Sequence, residues 1–160
     1  MPTVQSKFDF TRIDRRTKRV TPALIAAIRD RIVDHLQPEK IILFGSRANR
    51  TATPESDIDL LVILADGHPL ARVRRSDRFG ALLELFRYRS FGLDAMVLID
   101  AEITKLRAEN EGEWDLVLEI LDEGKTLYDR AQETKAAIDK ARRIKDFIMK
   151  KAEELGYYQD

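Results

Sequence analysis

The chain has 160 residues, no cysteine and two histidines, and its 28 basic and 28 acidic side chains give a formal net charge of zero. This length fits one domain with a core of its own. The missing cysteines exclude a disulfide framework, a thiolate zinc site and a cysteine nucleophile, and two histidines exclude a multi-histidine metal site. Any metal would therefore be a hard cation held by carboxylates. Zero net charge argues against a general nucleic-acid or membrane binder.

Apolar residues never run for the roughly 18 positions of a membrane span, and residues 1–20 contain no apolar stretch of secretory length. We therefore expect a cytoplasmic protein. The charge is unevenly distributed. Residues 1–20 and residues 72–89 each carry six basic against two acidic side chains, whereas residues 100–123 carry nine acidic against two basic ones. These segments are either solvated helix faces or a basic wall near a polyanion and an acidic face elsewhere.

The first predicted helix begins at Thr21-Pro22, with the threonine as cap and the proline in the first turn. Apolar residues then recur every fourth position up to Pro38. Strands are predicted at 40–44, 58–64 and 93–99, and the second is apolar at almost every position, which is typical of a strand covered on both faces. Helices are predicted at 71–87, 101–110 and 113–123. Gly124 is a natural helix stop, and 126–128 forms a short strand or a turn.

The longest predicted helix covers 131–155. Its apolar residues recur at steps of three or four and comprise Ala137, Ala141, Ile144, Ile148, Ala152 and Leu155. This stripe either packs back onto the preceding domain or, together with Phe147, Tyr157 and Tyr158, docks a partner chain. The predicted organisation is a basic N-terminal segment at 1–20, a domain at 21–130 and a C-terminal amphipathic helix at 131–160.

The candidate chemistry lies at the start of the second strand, which opens with Ser56-Asp57-Ile58-Asp59. Residues two apart in a strand point the same way, so Asp57 and Asp59 project from one face. Two such close carboxylates repel each other unless one is protonated or a cation lies between them. Asp94 is the only charged residue of another apolar strand. Three carboxylates on adjacent strands make a two-metal site for phosphoryl-type displacement plausible, although Asp57 and Asp59 alone also fit a turn-capping pair.

Gly45-Ser46 follows the first strand and offers a complementary phosphate cradle. Glycine lets a ligand approach the backbone closely, and exposed amides after a strand hold phosphate oxygens. Ser46 adds a hydroxyl, and Arg47 a guanidinium. The segment therefore predicts a phosphate-binding loop about a dozen residues before a pair of metal-binding carboxylates.

The pattern G-S-x(10)-D-x-D, followed by a third Asp on a later strand, resembles the DNA polymerase beta type nucleotidyltransferase superfamily. The similarity covers roughly residues 22–128, with the core motif in 41–62, and the short length resembles the minimal nucleotidyltransferase (MNT) branch. The resemblance implies an α/β fold: a small mixed or antiparallel sheet with helices mainly on one face and a long C-terminal helix. It also implies that Asp57 and Asp59 bind two Mg²⁺ ions, that Asp94 binds the catalytic metal and helps activate the incoming hydroxyl, and that Gly45 and Ser46 hold the triphosphate of ATP.

The MNT branch often pairs with HEPN-domain toxins, so the resemblance implies a protein adenylyltransferase (AMPylation) that transfers AMP to a hydroxyl of a partner toxin. The alternatives are an antitoxin that binds without catalysis and a small-molecule (antibiotic) nucleotidyltransferase. A membrane is not expected as a partner, and nor is nucleic acid as a direct substrate. One departure concerns Asn49-Arg50, where the family commonly has Arg-Gly. It predicts a loop of altered shape, since the lost glycine would tolerate a positive φ.

Overall fold

The computed structural model describes Phe10 and residues 20–53 and 56–157. Most of the predicted basic segment at 1–20 lies outside the described residues, as does Tyr158. Single 3₁₀ turns occupy Gly45–Arg47 and Pro69–Arg72. In chain order the helices and strands are α1 (Pro22–Leu36), β1 (Lys40–Phe44), β2 (Ile58–Leu64), α2 (Arg75–Glu84), β3 (Leu93–Ile99), α3 (Asp100–Glu109), α4 (Leu116–Glu123), β4 (Lys125–Asp129) and α5 (Arg130–Glu154).

Four strands form one mixed sheet in the order β3-β2-β1-β4. β1 runs antiparallel to β2, so that Phe44 lies opposite Asp59. β2 runs parallel to β3, so that Asp59 lies opposite Asp94. The predicted α/β fold with a small mixed sheet and a long C-terminal helix is therefore confirmed.

The larger apolar core lies on one face of the sheet, beneath α1 and α2. Helix α1 contributes the apolar residues that were predicted to recur along it. All four are buried: Leu24, Ile28, Ile32 and Leu36. The hydroxyl of Thr21 accepts a hydrogen bond from the Leu24 amide at 3.1 Å, as expected of an N-cap. The predicted start of this helix is thus confirmed together with the reason for it.

A smaller core lies on the other face, where α3 and α4 cover the sheet, so the helices lie on both faces and not mainly on one as predicted. Its buried residues are Ile42, Leu61, Ile63, Leu98 and Ile120. β2 supplies alternate residues to both cores, which explains its nearly unbroken apolar sequence. Gly124 ends α4 close to the sheet, since a Cβ there would overlap the Ile42 side chain.

The helix predicted at 71–87 is shorter in the structure. Val73 and Arg74 are extended and separate the 3₁₀ turn from α2. The cause is a distant side chain: the Arg78 guanidinium donates to the carbonyls of Leu70 and Ala71 at 2.9 and 3.0 Å. The two carbonyls therefore have hydrogen-bond donors even though the helix is interrupted at this point.

The helix predicted at 113–123 begins three residues later, at Leu116. The Asp115 carboxylate accepts hydrogen bonds from the amides of Val117 and Leu118. This cap fixes the helix start at Asp115.

The chain divides into two compact units, at Met1–Tyr128 and Asp129–Asp160. In the second unit the Asp129 carboxylate caps α5 by accepting from the amides of Ala131 and Gln132. Several large apolar side chains of this unit are exposed, among them Phe147, Ile148 and Tyr157. Among the described residues, no helix combines the length and apolarity that crossing a lipid bilayer requires.

Arg78 joins α2, β3 and α3 through one buried guanidinium. Only 5% of the residue is exposed, and its Nη1 donates to the Val97 carbonyl at 3.3 Å and to the Glu102 carboxylate. Burial alone would raise the pKa of Glu102. Hydrogen bonds from Arg78, Arg75 and the Ile99 amide outweigh burial, so the Glu102 pKa lies below its usual value.

We predict that Glu102→Gln lowers the free energy of unfolding at pH 7 by about 2 kcal/mol, because charge-assisted hydrogen bonds are lost. A carboxylate whose pKa is lower in the folded than in the unfolded protein stabilises the fold at any pH above its unfolded-state pKa. This stabilisation is lost as the pH falls through its folded-state pKa. The deficit of the variant should therefore shrink between pH 6 and pH 3 in urea titrations. The control is Glu109→Gln, because that side chain is exposed and only weakly paired. A deficit that does not change with pH would contradict the assignment.

Candidate active site

The three candidate carboxylates lie at the ends of neighbouring strands. Phe44, Asp59 and Asp94 form one row across β1, β2 and β3. Alternation along each strand puts Asp59 and Asp94 on the same face as Leu61 and Leu98, which belong to the smaller core. Asp57 lies just before β2, beside Gly92 and close enough to Asp59 for the two charges to repel.

This end of the face is open, whereas the other end is covered by α3 and α4. Asp57 and Asp94 are exposed and Asp59 is half-buried. Two residues further along β2, Leu61 is fully buried. The carboxylates therefore lie at the boundary between the covered part of the sheet and solvent. A ligand can reach them there.

A glycine lies against each member of the Asp57–Asp59 pair. Gly45 has a φ of +70°, and a Cβ there would overlap Oδ2 of Asp59 and lie 3.3 Å from its Cγ. At Gly92 a Cβ would overlap Oδ1 of Asp57 and lie 2.7 Å from its Cγ. Gly45 was predicted as a ligand-facing residue, but sequence reasoning missed Gly92. The feature of the sequence that could have indicated Gly92 is its position directly before the strand that carries Asp94.

The three carboxylates point to different backbone positions. Asp94 Oδ1 accepts a hydrogen bond from the Ala95 amide at 2.9 Å, while the other two lie against the glycines. Within the described part of the chain, no three His, Cys, Asp or Glu side chains form a group that could already hold a metal ion.

The electrostatics of Asp59 reflect this crowding. Burial, followed by repulsion from Asp94 and Asp57, raises the pKa of the Asp59 carboxyl above its usual value. The same groups fit a hard divalent cation, since oxygen donors are what Mg²⁺ prefers. Gly45 and Gly92 leave the space beside two of these carboxylates that a side chain would fill.

The loop after β1 is held closed by its own hydrogen bonds. The amides of Ala48 and Asn49 donate to the Gly45 carbonyl, and the Thr51 amide donates to the Ser46 carbonyl. Arg47 Nη2 donates to the Ser56 carbonyl at 2.8 Å, so the guanidinium ties the loop to the residue preceding Asp57. Its buried Nε has no hydrogen-bond partner among the described residues.

Arg50 has a φ of +62°. The left-handed backbone that a glycine would favour at this position is therefore present although the side chain is arginine. Asn49 supports the turn, since its side-chain oxygen accepts from the Thr51 amide at 3.2 Å. The loop keeps a glycine-like geometry at a local conformational cost.

Ion pairs account for most of the arginines in the basic 72–89 segment. Arg75 and Arg78 pair with Glu102, Arg74 with Asp77, and Arg87 with Glu84. These contacts favour the interpretation of the segment as part of the fold rather than as a wall facing a polyanion.

Comparison with known proteins identifies one family. The sequence model described as Polymerase beta, Nucleotidyltransferase matches residues 27–133. No curated protein matches the chain significantly.

Three solved structures are similar to the chain. A Sulfolobus solfataricus protein described as a nucleotidyltransferase is 19% identical, with 72% of this chain and 83% of that chain covered and a TM-score of 0.44. A toxin–antitoxin structure with AMP-PNP is 19% identical, with 81% and 94% covered and a TM-score of 0.40. A mutant of the toxin–antitoxin pair MntA–HpeT is 18% identical, with 80% and 91% covered and a TM-score of 0.38. At these values the structural similarities add nothing to the family match.

We predict that Asp59→Asn raises the melting temperature of the metal-free protein at pH 8, by about 2–4 °C per kcal/mol of repulsion relieved. A carboxyl whose pKa is higher in the folded than in the unfolded protein lowers stability at a pH where it is ionised in both the folded and the unfolded protein. This loss of stability disappears when the pH falls below the unfolded-state pKa. The gain should therefore vanish near pH 3.5 in calorimetric scans with EDTA. Asp30→Asn, on exposed α1 surface, serves as control. A lower melting temperature for Asp59→Asn at pH 8 would contradict the repulsion.

Proposed function

Because the chain belongs to the polymerase beta nucleotidyltransferase family, we propose that it transfers AMP from ATP to a hydroxyl in a Mg²⁺-dependent reaction. The observation that carries the proposal is the open row of carboxylates at the uncovered end of β2 and β3. The acceptor proposed first is a Tyr, Ser or Thr hydroxyl on a partner HEPN toxin, which would make the chain a cytoplasmic antitoxin.

Asp57, Asp59 and Asp94 would hold the metal ions. Their donor atoms are hard oxygens, and the crowding that raises the pKa of Asp59 would be relieved by a divalent cation. When bound, Mg²⁺ supplies Lewis-acid polarisation of the phosphoryl oxygens and lowers the pKa of a nearby hydroxyl.

The loop after β1 would hold the triphosphate. Gly45 is exposed and lacks a side chain, so phosphate oxygens can approach its backbone closely. Ser46 contributes a hydroxyl. Arg47 keeps the loop attached to Ser56 through its Nη2, and its guanidinium would add positive charge beside the triphosphate.

In the proposed reaction the acceptor oxygen attacks the α-phosphorus of ATP. A new P–O bond forms as the bond between the α-phosphorus and the bridging oxygen breaks, and pyrophosphate leaves with that electron pair. Asp94, which is exposed, would accept the proton that the acceptor hydroxyl loses. The products are an AMP ester of the acceptor and pyrophosphate.

A second candidate function is an antitoxin that covers its partner without catalysis. The exposed apolar side chains of α5 favour it, since Phe147 and Ile148 are 62% and 58% exposed. Transfer to a small molecule such as an antibiotic is the remaining alternative. It differs from both in needing no partner protein.

The test incubates the protein with α-labelled ATP, Mg²⁺ and the protein encoded by the neighbouring gene. We expect label on the partner, and a loss of at least about a hundredfold for Asp57→Asn/Asp59→Asn, because removal of electrostatic transition-state stabilisation costs that much or more. Asp30→Asn, distant in sequence from the row, should retain full transfer.

Two results would contradict transfer to a partner. One is an absence of label with wild-type protein. The other is protection of cells by Asp57→Asn as complete as by the wild type, which would support the non-catalytic antitoxin instead. Label found only on antibiotics in an acceptor screen would support the small-molecule alternative.

A further inference from the structure

Gly92 lies directly beside Asp57 because β2 and β3 run parallel, with Ile58 opposite Leu93. A Cβ at position 92 would overlap Oδ1 of Asp57 and lie 2.7 Å from its Cγ and 3.3 Å from its Cβ. Both the carboxylate and the start of its side chain therefore occupy the space that any residue other than glycine would need.

The backbone at Gly92 is held from both sides and cannot move away easily. Its carbonyl accepts from the Ile58 amide at 2.9 Å, and Leu93 is buried in the larger core. Just upstream, the amide and hydroxyl of Ser90 both donate to the Phe10 carbonyl at 3.2 Å.

An aromatic cluster fixes the same connection between α2 and β3. The Phe10 ring meets the Phe86 ring edge-on with centroids 5.2 Å apart, and Phe91 contacts both. The Arg31 guanidinium lies 4.7 Å from the Phe10 ring centroid and donates to the Leu85 carbonyl. A clash at position 92 is therefore resolved by moving Asp57.

We propose that Gly92 is a positioning residue for metal binding: its missing side chain reserves the place of the Asp57 carboxylate beside Asp59. This inference rests on the proposed function, in which Asp57 is a metal ligand. Gly92 differs from Gly45 in a useful way. Gly45 has a φ of +70°, whereas Gly92 has no positive φ, so alanine at position 92 tests the added methyl group alone.

The experiment measures Mn²⁺ binding to the full chain by electron paramagnetic resonance, without nucleotide or turnover. For Gly92→Ala we expect an affinity at least about tenfold weaker than that of the wild type, the lower end of what loss of support for a metal ligand costs. The matched control is Gly80→Ala, since no atom lies within 4 Å of a Cβ at that glycine; its affinity should match the wild type. Equal Mn²⁺ affinity for Gly92→Ala and wild type would overturn the proposal.

A double-mutant cycle separates contact with Asp57 from a general effect on folding. If Gly92 acts through Asp57, then Gly92→Ala should weaken Mn²⁺ binding no further in an Asp57→Ala background. Measured in EDTA, Gly92→Ala should also lower the melting temperature less in the Asp57→Ala background than in the wild type, because the clashing carboxylate is gone. Additive losses, or unfolding of Gly92→Ala in both backgrounds, would instead indicate a backbone role and overturn the inference. Absence of Mn²⁺ binding to the wild type would overturn the proposed function itself, and this inference with it.

Discussion

Mutual repulsion among three carboxylates at the open end of a buried sheet is the constraint on which the site depends. β2 is buried on both faces from Leu60 onward, so its charged residues can lie only where the covering helices stop. Asp59 stands at that boundary, opposite Asp94. Burial, followed by repulsion from Asp94 and Asp57, raises the pKa of the Asp59 carboxyl.

Among the residues that the structure describes, glycines beside the carboxylates, and not ion pairs with them, accommodate this arrangement. Gly45 and Gly92 leave room for the carboxylates, and Arg47 bonds a carbonyl instead of pairing with either aspartate of the pair. By contrast, the buried Arg78 is paired with Glu102 and three carbonyls, as a buried charge within the fold requires. A satisfied ionic cluster thus stabilises one end of β3, whereas no ion pair with a described residue neutralises the carboxylates at the other end, a distribution typical of functional sites.

Sequence patterns predicted the elements whose causes are local. The spacing of Leu24, Ile28, Ile32 and Leu36 predicted α1, and the apolar run from Leu60 predicted a doubly covered β2. The helices predicted at 101–110 and 113–123 are present as α3 and α4, but the expectation of helices mainly on one face missed that these two cover the second face of the sheet.

Features set by distant contacts could not be predicted in this way. The break before α2 depends on Arg78 reaching back to Leu70 and Ala71. The role of Gly92 depends on the parallel register that brings it to Asp57. At Arg50 the expectation of an altered loop came from residue preference, yet the backbone keeps a positive φ. The assignment of Asp57, Asp59 and Asp94 as metal ligands stays a prediction.

The most direct test of the central claim is calorimetric titration of the protein with a non-hydrolysable ATP analogue, once with Mg²⁺ and once with EDTA. If divalent cations draw the three carboxylates together to complete the site, the analogue should bind only in the presence of Mg²⁺, because the triphosphate would otherwise meet uncompensated negative charge. Equal affinity in EDTA, or no binding with Mg²⁺ present, would contradict the account.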